Sequence, residues 1–526
     1  MPARRRPAPP PTEESPSPKV DYVRPEVADM LPKWLKIMHV LGGSDAVKGQ
    51  RTAYLVRHNA SDTSPEADAY YEARLKRAVF YPVTGRTHKA LVGEVFAEDP
   101  AATLPPTLEP FINDVDGSGL PMDLQSKQAL SHVLAFGRAG LLVDYPTTAV
   151  PQTPDVEEAT PTPTTRADLL AGNVRPTMIL YRPEQVINWR TKSVGSKTLL
   201  SLVVLSETYL ADDDGFEPTY KPQMRVLRLN EANQYTVEIY QKVDGVWKSN
   251  GPVVVMGSNG APLQEITFIF IGSEDNTPEI DEPPMLDMAE LNLAHYNNSA
   301  DQEDSITNVG QPMYWFGGLT QTWVDKNFAG GLQIGSRKAV LLPDKGNAGI
   351  LQPEPNTLAK DGMVHKEEQL KAIGARLVTP GGVQQTATED NNDKRSEMSV
   401  LMSCAHNVSL AYTQGLRFAA MFVGENNVSD EALAYELNRD LTISTLTPEA
   451  QKQIIGGWQS GAYDWEEMRW NLRKGGIVYK PDDEAKENIA AELPSMPVMP
   501  GTVKEETPPG GEEEEEEEEE ETPPTE

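Results

Sequence analysis

Hydrophobic and polar positions change their period twice along this chain, from helical to alternating and back to helical. Residues 65–80 (PEADAYYEARLKRAVF) predict a helix opened by Pro65, with Ala69, Leu75 and Val79 among its buried positions. Residues 123–138 predict a second helix, with Leu124, Ala129 or Leu130, Val133 or Leu134 and Gly137 in period. It runs directly into a short buried strand at 139–145. The pattern then alternates and becomes β-branched at 176–181, 186–189, 199–210, 224–229, 235–243 and 266–271. Turn signals such as Asp213-Asp214-Gly215 and Asp244-Gly245 separate these runs, which reads as a mostly antiparallel β region.

After Pro283-Pro284 the helical period returns and continues to about Val309. Leu286, Ala289, Leu293, Tyr296 and Ala300 form one stripe of that helix, and Asn292, Asn297 and Asn298 lie off it. Residues 311–354 hold two short β runs, 313–316 and 339–342, among many glycines. A helix over 358–377 is followed by a flexible polar segment from Thr379 to Thr386, and then by the longest helix, 391–423. Met398, Leu401 or Met402, Ala405, Val408, Tyr412, Leu416 and Ala419 recur on one of its faces. The chain then predicts a helical hairpin. Thr447-Pro448-Glu449 starts it, Gly461 breaks it, and Asp464 with Glu467 makes a capping box before Leu472 and Gly475-Gly476.

A length of 526 residues allows roughly two to four domains of about 150 residues each. The formal net charge is -32. Residues 501–526 contain 13 Glu against one Lys, so 12 of those charges sit in the tail and 20 in the remainder. An acidic body argues against a DNA binder that clamps phosphates. A single cysteine, Cys404, excludes a disulfide framework and any multi-cysteine zinc or iron–sulfur site. Residues 1–20 carry seven Pro and the Arg4-Arg5-Arg6 run without an apolar stretch, unlike a secretory signal. No stretch approaches the about 18 continuous apolar residues of a membrane-spanning helix. The ends, 1–20 and 494–526, read as disordered. Residues 146–166, with five Pro and seven Thr, read as an exposed extended loop. The expectation is a large, soluble protein of intracellular type.

The residues offer little for catalysis. The dipeptide Gly-Lys never occurs, so no phosphate-binding P-loop is present, and neither G-x-S-x-G nor H-E-x-x-H is found. The seven histidines are scattered, and Cys404 and His406, two apart on a helix, point in different directions. Gly117-Ser118-Gly119 and the 330–335 glycines lack the spacing of a dinucleotide fingerprint and read as turns. Asp99, Asp114, Asp116 and Asp123 match no calcium loop and read as a solvated loop that carries acids. The expectation is a protein without catalytic residues, metal or cofactor.

The order of these segments resembles the portal proteins of tailed bacteriophages, in particular a portal-like phage family that usually carries only a domain-of-unknown-function label. The matching phrases are THKALVGEVF (87–96), LAFGRAGLLVDYP (134–146), PTMILYRPEQVINWR (176–190) and PPMLDMAELNLAHYNNSAD (283–301), with 370–389 and 396–412. Together they span about residues 20–480, and the phrase beginning Pro283-Pro284-Met285-Leu286-Asp287 is the most specific. The resemblance implies an α+β fold: a portal-type subunit with a helical and β wing, a two-helix stem, a small β clip, a long wing helix and a helical crown. Mapped by segment, 1–20 would be an N-terminal arm and 21–282 the wing. Residues 283–310 and 358–378 would be the stem helices, flanking a clip at 311–357. Residues 379–390 would be the tunnel loop, 391–444 the long wing helix region, 445–493 the crown and 494–526 an acidic tail. The Pro/Thr loop and the Glu run at 512–521 are departures from that pattern.

The resemblance also implies a function. Portals form a ring, usually of twelve copies, at one capsid vertex of the virion, assembled in the bacterial cytoplasm without a membrane. Double-stranded DNA passes through for packaging and ejection without sequence readout. The partners would be the terminase large subunit, the head–tail adaptor, and the major capsid and scaffolding proteins. Tunnel-loop contacts would fall to Gly381, Gly382, Gln384, Gln385, Thr386, Thr388, Lys394 and Arg395. Subunit packing would fall to Leu286, Ala289, Leu293, Tyr296 and Ala300, with the Asn-rich flank beside them. The clip would present Trp315, Phe316, Trp323, Arg337 and Lys338 to terminase and adaptor. The chemistry is compatible, because an acidic wall repels phosphates and lets DNA slide. Two other classes remain open on residues alone: an acidic scaffold or adaptor whose tail captures a basic partner, and a hydrolase built on Asp114 and Asp116.

Overall fold

The computed structural model describes residues 19–145, 175–310, 313–327, 342–351, 357–378, 399–425, 429, 432–438, 448–462, 464–474, 478 and 485–486. The fold is α+β, and the chain divides into two units at residues 441/442. In chain order the first unit begins with helices α1 (Pro25–Leu41), α2 (Ser44–Gly49), α3 (Pro65–Arg77) and α4 (Val83–Val95). Strand β1 (Ala101–Thr103), the short α5 (Pro110–Asn113), α6 (Met122–Phe136), β2 (Arg138–Asp144) and β3 (Thr177–Tyr181) follow. Next come β4 (Val186–Val194), β5 (Lys197–Asp213), β6 (Pro218–Leu229), β7 (Tyr235–Val243), β8 (Val246–Val254) and β9 (Phe268–Gly272). The remainder is α7 (Leu286–Val309), β10 (Met313–Gly317), α8 (Gln321–Asn327), β11 (Asn347–Leu351), α9 (Leu358–Arg376), α10 (Val400–Val423) and β12 (Ala434–Glu436).

Among the described residues the strands form four antiparallel sheets. Strands β4 to β8 make a five-stranded meander in sequence order, and a small sheet of order β3-β2-β9 lies in the core. Strand β1 pairs with β12, and β10 with β11. Helix α10 is the central core helix. It packs on α6, β2 and β9, and Gly415 lets it approach closely, since a Cβ there would meet Leu141 Cδ2 at 3.2 Å and Met178 Sδ at 3.3 Å. Leu401, Ala405, Val408, Tyr412, Leu416 and Ala419 are buried as their period requires, and Tyr412 donates to Gln125 Oε1 at 3.0 Å. Met398 and the expected helical stretch 391–398 lie outside the described residues.

The turn from α6 into β2 is built on Gly137, whose φ of +73° is the left-handed conformation that ends the helix. The first strand residue, Arg138, is a buried cation. Its guanidinium lies 4.2 Å from the ring centres of both Trp189 and Phe270 and donates to the carbonyls of Pro278 and Glu279 at 2.9 and 3.1 Å. Burial is the main cause of its pKa falling to about 9, with the Arg24 charge adding to it and Asp281 opposing.

Several expectations need correction. Ala69 and Val79 are exposed, because the buried face of α3 is Tyr71, Arg74 and Leu75. Leu124 is exposed too, while Ala129, Leu130, Val133 and Leu134 fill the core. The sequence pattern does not disclose helices α1 and α4 or strand β8. Pro32 inside α1, the low-propensity Thr84, Gly85 and Gly93 of α4, and Gly251-Pro252 in β8 each interrupt the local pattern. The second strand of the 311–354 insert is β11; Leu342 is not in a strand, and 339–341 lie outside the described residues.

The second unit holds a helical hairpin of α11 (Pro448–Gln459) and α12 (Trp465–Lys474). Gly461, with φ +76°, breaks the chain between them, and Asp464 Oδ1 accepts the Glu467 N–H at 2.7 Å to start α12. Met468 and Leu472 supply its buried positions.

Candidate functional site

Helix α7 is the element around which a site can be built, because so much of the chain grips it. Its apolar stripe, Leu286, Ala289, Leu293, Tyr296 and Ala300, is buried within the chain itself. Tyr296 meets Phe80 edge-to-face, with ring centres 5.8 Å apart. The asparagines assigned to a neighbour-facing flank are also used internally. Asn292 accepts from the Thr84 backbone N–H and hydroxyl at 3.2 and 3.0 Å and donates to the Tyr81 carbonyl at 2.9 Å. Asn297 donates to the Tyr54 carbonyl at 2.8 Å and accepts the Val56 N–H at 3.2 Å. Of this flank, Asn292 is buried and Asn297 half-buried, and both are bonded within the chain, while Asn298 is half-buried beside Gly362.

The far part of α7 is held by charge. Arg74 donates to Asp301 at 2.7 Å and also to Asp304, and Arg77 donates to the other Asp304 oxygen at 2.5 Å. His58 Nε2 lies 3.1 Å from Asp304 Oδ2. Burial opposes the Arg74 charge, but the hydrogen bonds it donates to Asp301 and Asp304 outweigh that and raise its pKa. Burial likewise opposes the Asp304 carboxylate, and the bonds from Arg77, Arg74 and His58 outweigh it, leaving its pKa below the ordinary value. Hydrophobic periodicity could not have found this cluster. The signal was present in another form: Arg74/Arg77 and Asp301/Asp304 are both i, i+3 pairs, so two helices offer matching doublets of opposite charge.

Helix α9 runs antiparallel along α7. Its Gly362 lies by Asn298, where a Cβ would sit 2.6 Å from Asn298 Nδ2; Glu367 lies 3.3 Å from His295 Nε2; and Gly374 faces Met288. Between the two helices in sequence stands the β10–β11 ribbon, in register Trp315↔Gly349. The indole rests on that glycine, since a Cβ there would be 2.7 Å from Trp315 Nε1. Met313, Tyr314, Trp315, Ile350 and Leu351 are exposed, making an apolar ribbon in water. Phe316 is half-buried in the same strand, and Trp323 lies in the short α8 rather than a strand. Arg337 and Lys338 lie outside the described residues, as do Gly381, Gly382, Gln384, Gln385, Thr386, Thr388, Lys394 and Arg395.

The acids considered for catalysis serve a turn. Asp114 pairs with Arg175 and accepts the N–H groups of Gly117 and Gly119 at 2.8 and 3.0 Å; Asp116 accepts from Ser118. Among the described residues no group of three or more His, Cys, Asp or Glu could hold a metal ion. Cys404 is buried, and burial, reinforced by the Asp281 charge, pushes its thiol up to about 12. Among the described residues no helix is long and apolar enough to cross a membrane. What stands out among the described residues is a clamped helix pair that carries an exposed aromatic ribbon.

A family described as a domain of unknown function (DUF4055) matches residues 284–423, from the start of the gripped helix to the end of the core helix α10. No curated protein matches the chain. Among solved structures, the chain is similar to one from the neck of an empty GTA particle computed with C6 symmetry, at 13% identity and a TM-score of 0.36, covering 83% of this chain and 98% of that one. It is also similar to a chain from the virion of a native gene transfer agent particle, at 14% identity, a TM-score of 0.36, and coverage of 84% and 98%. A third, from the neck of the native particle computed with C12 symmetry, has 13% identity, a TM-score of 0.36, and coverage of 80% and 98%.

Proposed function

We propose that this chain is a structural protein of the head–tail region of a phage-like particle, and more finely a portal subunit. Twelve copies would close a ring at the capsid vertex through which double-stranded DNA enters and leaves. The observation that carries the reading is the run α7–β10–β11–α9. Two antiparallel helices, clamped at their sides by buried polar and ionic contacts, bear an exposed apolar ribbon between them. A rigid stem that presents an adhesive tip suits a protein that must hold its place while successive partners dock. In this reading the ribbon, with Trp315 at its centre, meets terminase and later the adaptor. Residues 379–390 would face DNA, offering glycine backbone and neutral Gln and Thr side chains that make no tight phosphate contact.

Native mass with negative-stain images of the same sample tests this. Twelve chains of 57.9 kDa give roughly 0.7 MDa as a closed ring. Rings of that mass with a central hole are the expected result. A monomer in the presence of scaffolding and capsid proteins would overturn the reading.

A further inference from the structure

The five-stranded sheet carries an arm. Pairing with β4 ends at Val186↔Leu205 and pairing with β7 at Gln223↔Gln241. From Thr208 to Asp213 and from Pro218 to Pro222, strands β5 and β6 therefore pair only with each other. At about 3.4 Å per residue this ribbon reaches roughly 20 Å past the sheet. A free two-stranded hairpin is marginal in water, and this one exposes apolar groups. Leu210 and Tyr220 stand opposite each other on the ladder, and Phe216 at the tip is 96% exposed. Four carboxylates surround it in sequence: Asp212, Asp213, Asp214 and Glu217. The tip is a built turn. Asp214 Oδ1 accepts the N–H groups of Phe216 and Glu217 at 2.9 and 2.7 Å, and Asp213 Oδ1 accepts that of Gly215 at 2.8 Å.

A surface of opposite character lies between α4 and α6. A cleft of about 480 Å³ is lined by apolar Val92, Leu120 and Leu124, with Lys89, Lys127 and His132 beside them. No lining residue is acidic, although the chain carries a net charge of -32. The exposed Leu124, which interrupts the core pattern of α6, is accounted for as part of this lining. His132, one of its lining residues, has a buried Nδ1 without a hydrogen-bond partner. Its volume falls within the about 300–1,000 Å³ of sites that enclose a small molecule, enough for one aromatic ring and the turn behind it.

We infer that the Phe216 tip of one copy docks into the α4–α6 cleft of a second copy, its ring against Val92, Leu120 and Leu124 and its carboxylates against Lys89 and Lys127. The occupant is not the tip of the same chain, which stands free in solvent. Two different surfaces meet, so the contact is heterologous and propagates head-to-tail, as a closed ring requires. The inference rests on the multi-copy reading above, but a ring could close without it.

Cross-linking of the full chain separates the two. Cys404 is the single native cysteine and is buried, so introduced thiols report cleanly. Thr219→Cys combined with Gln128→Cys, which keep the aromatic anchor and the apolar wall, should join copies under mild oxidation into a ladder reaching the full ring, whereas Thr219→Cys with a cysteine at exposed Leu358 should give no ladder. Phe216→Ser should weaken association by about 30-fold or more, the loss typical of a central aromatic anchor. Lys89→Glu/Lys127→Glu should weaken it too, and adding Asp212→Lys/Glu217→Lys should restore it. Rings that form without the 219–128 ladder would overturn the docking and leave the ring reading intact. A chain that stays monomeric would overturn both.

Discussion

Arg74 and Asp304 face each other from helices α3 and α7 with their side chains only 4% and 5% exposed. They are 230 residues apart in sequence. The pair pins the far part of helix α7 to the N-terminal block, with Asp301 and Arg77 completing the charge balance. Asp304→Ala leaves a buried guanidinium with half its partners and should cost about 3–5 kcal/mol in chemical denaturation. The double change Arg74→Met/Asp304→Leu, which removes both charges, should recover most of that loss. The pH dependence has a definite sign. A carboxylate whose folded pKa is depressed contributes stability above its unfolded value of 3.8 and loses it as pH falls through the lower folded value. An acid titration of wild type against Asp304→Asn should show this arm only in the wild type.

His132 provides a second arm at milder pH. Burial, with the Arg182 and His88 charges adding to it, lowers its pKa from 6.5 to about 4. The fold therefore prefers the neutral ring. Its contribution is complete above pH 6.5 and is lost as pH falls from there towards 4, because the unfolded chain takes up the proton first. His132→Phe should flatten stability across that window. An unchanged slope in the variant would show that the histidine is not the source.

The small sheet is packed to a tolerance below one methyl group at Gly140. A Cβ there would lie 2.5 Å from Phe268 Cζ and 3.3 Å from Val186 Cγ2. Phe268 is itself wedged edge-on against Phe270 at 5.0 Å between ring centres, so it has little room to withdraw. Gly140→Ala should cost about 1–3 kcal/mol through overpacking. Thermal unfolding of the variant checks this.

These sites differ in how far the amino-acid pattern discloses them. The stripe of α7 and the core face of α10 are readable because Leu286, Leu293, Leu401 and Leu416 recur at helical spacing and are buried for that reason. Tertiary contacts decide the rest. Leu124 keeps the helical period yet lines a surface cleft, and Arg74 and Arg138 are charged yet lie in the core because each meets partners distant in sequence. Strand β8 escapes the alternation rule because Gly251-Pro252 breaks it, although its ladder with β7 is intact on both sides. Helix α7 is thus legible as a helix, but not the clamp that fixes it. The Phe216 arm was visible only as a turn signal, since a single exposed phenylalanine among four acids carries no period.

Trp315 joins local stability to the proposed role, and the two can be separated. Its ring covers Gly349 across the ladder, a placement that shields a strand glycine with an aromatic neighbour. The side chain is nevertheless 43% exposed, which leaves a large apolar area in water. Trp315→Ala should therefore lower the stability of the isolated chain by about 1 kcal/mol or less. If the ribbon is the docking tip, the same change should weaken capture of a terminase or adaptor protein by at least about 2 kcal/mol, since a half-exposed tryptophan at the centre of an interface is a typical anchor. Titration calorimetry against purified partner reads the second effect, and chemical denaturation of the chain alone reads the first. Loss of stability without loss of binding would mark Trp315 as a support for the ribbon and move the docking surface to its neighbours Tyr314, Ile350 and Leu351.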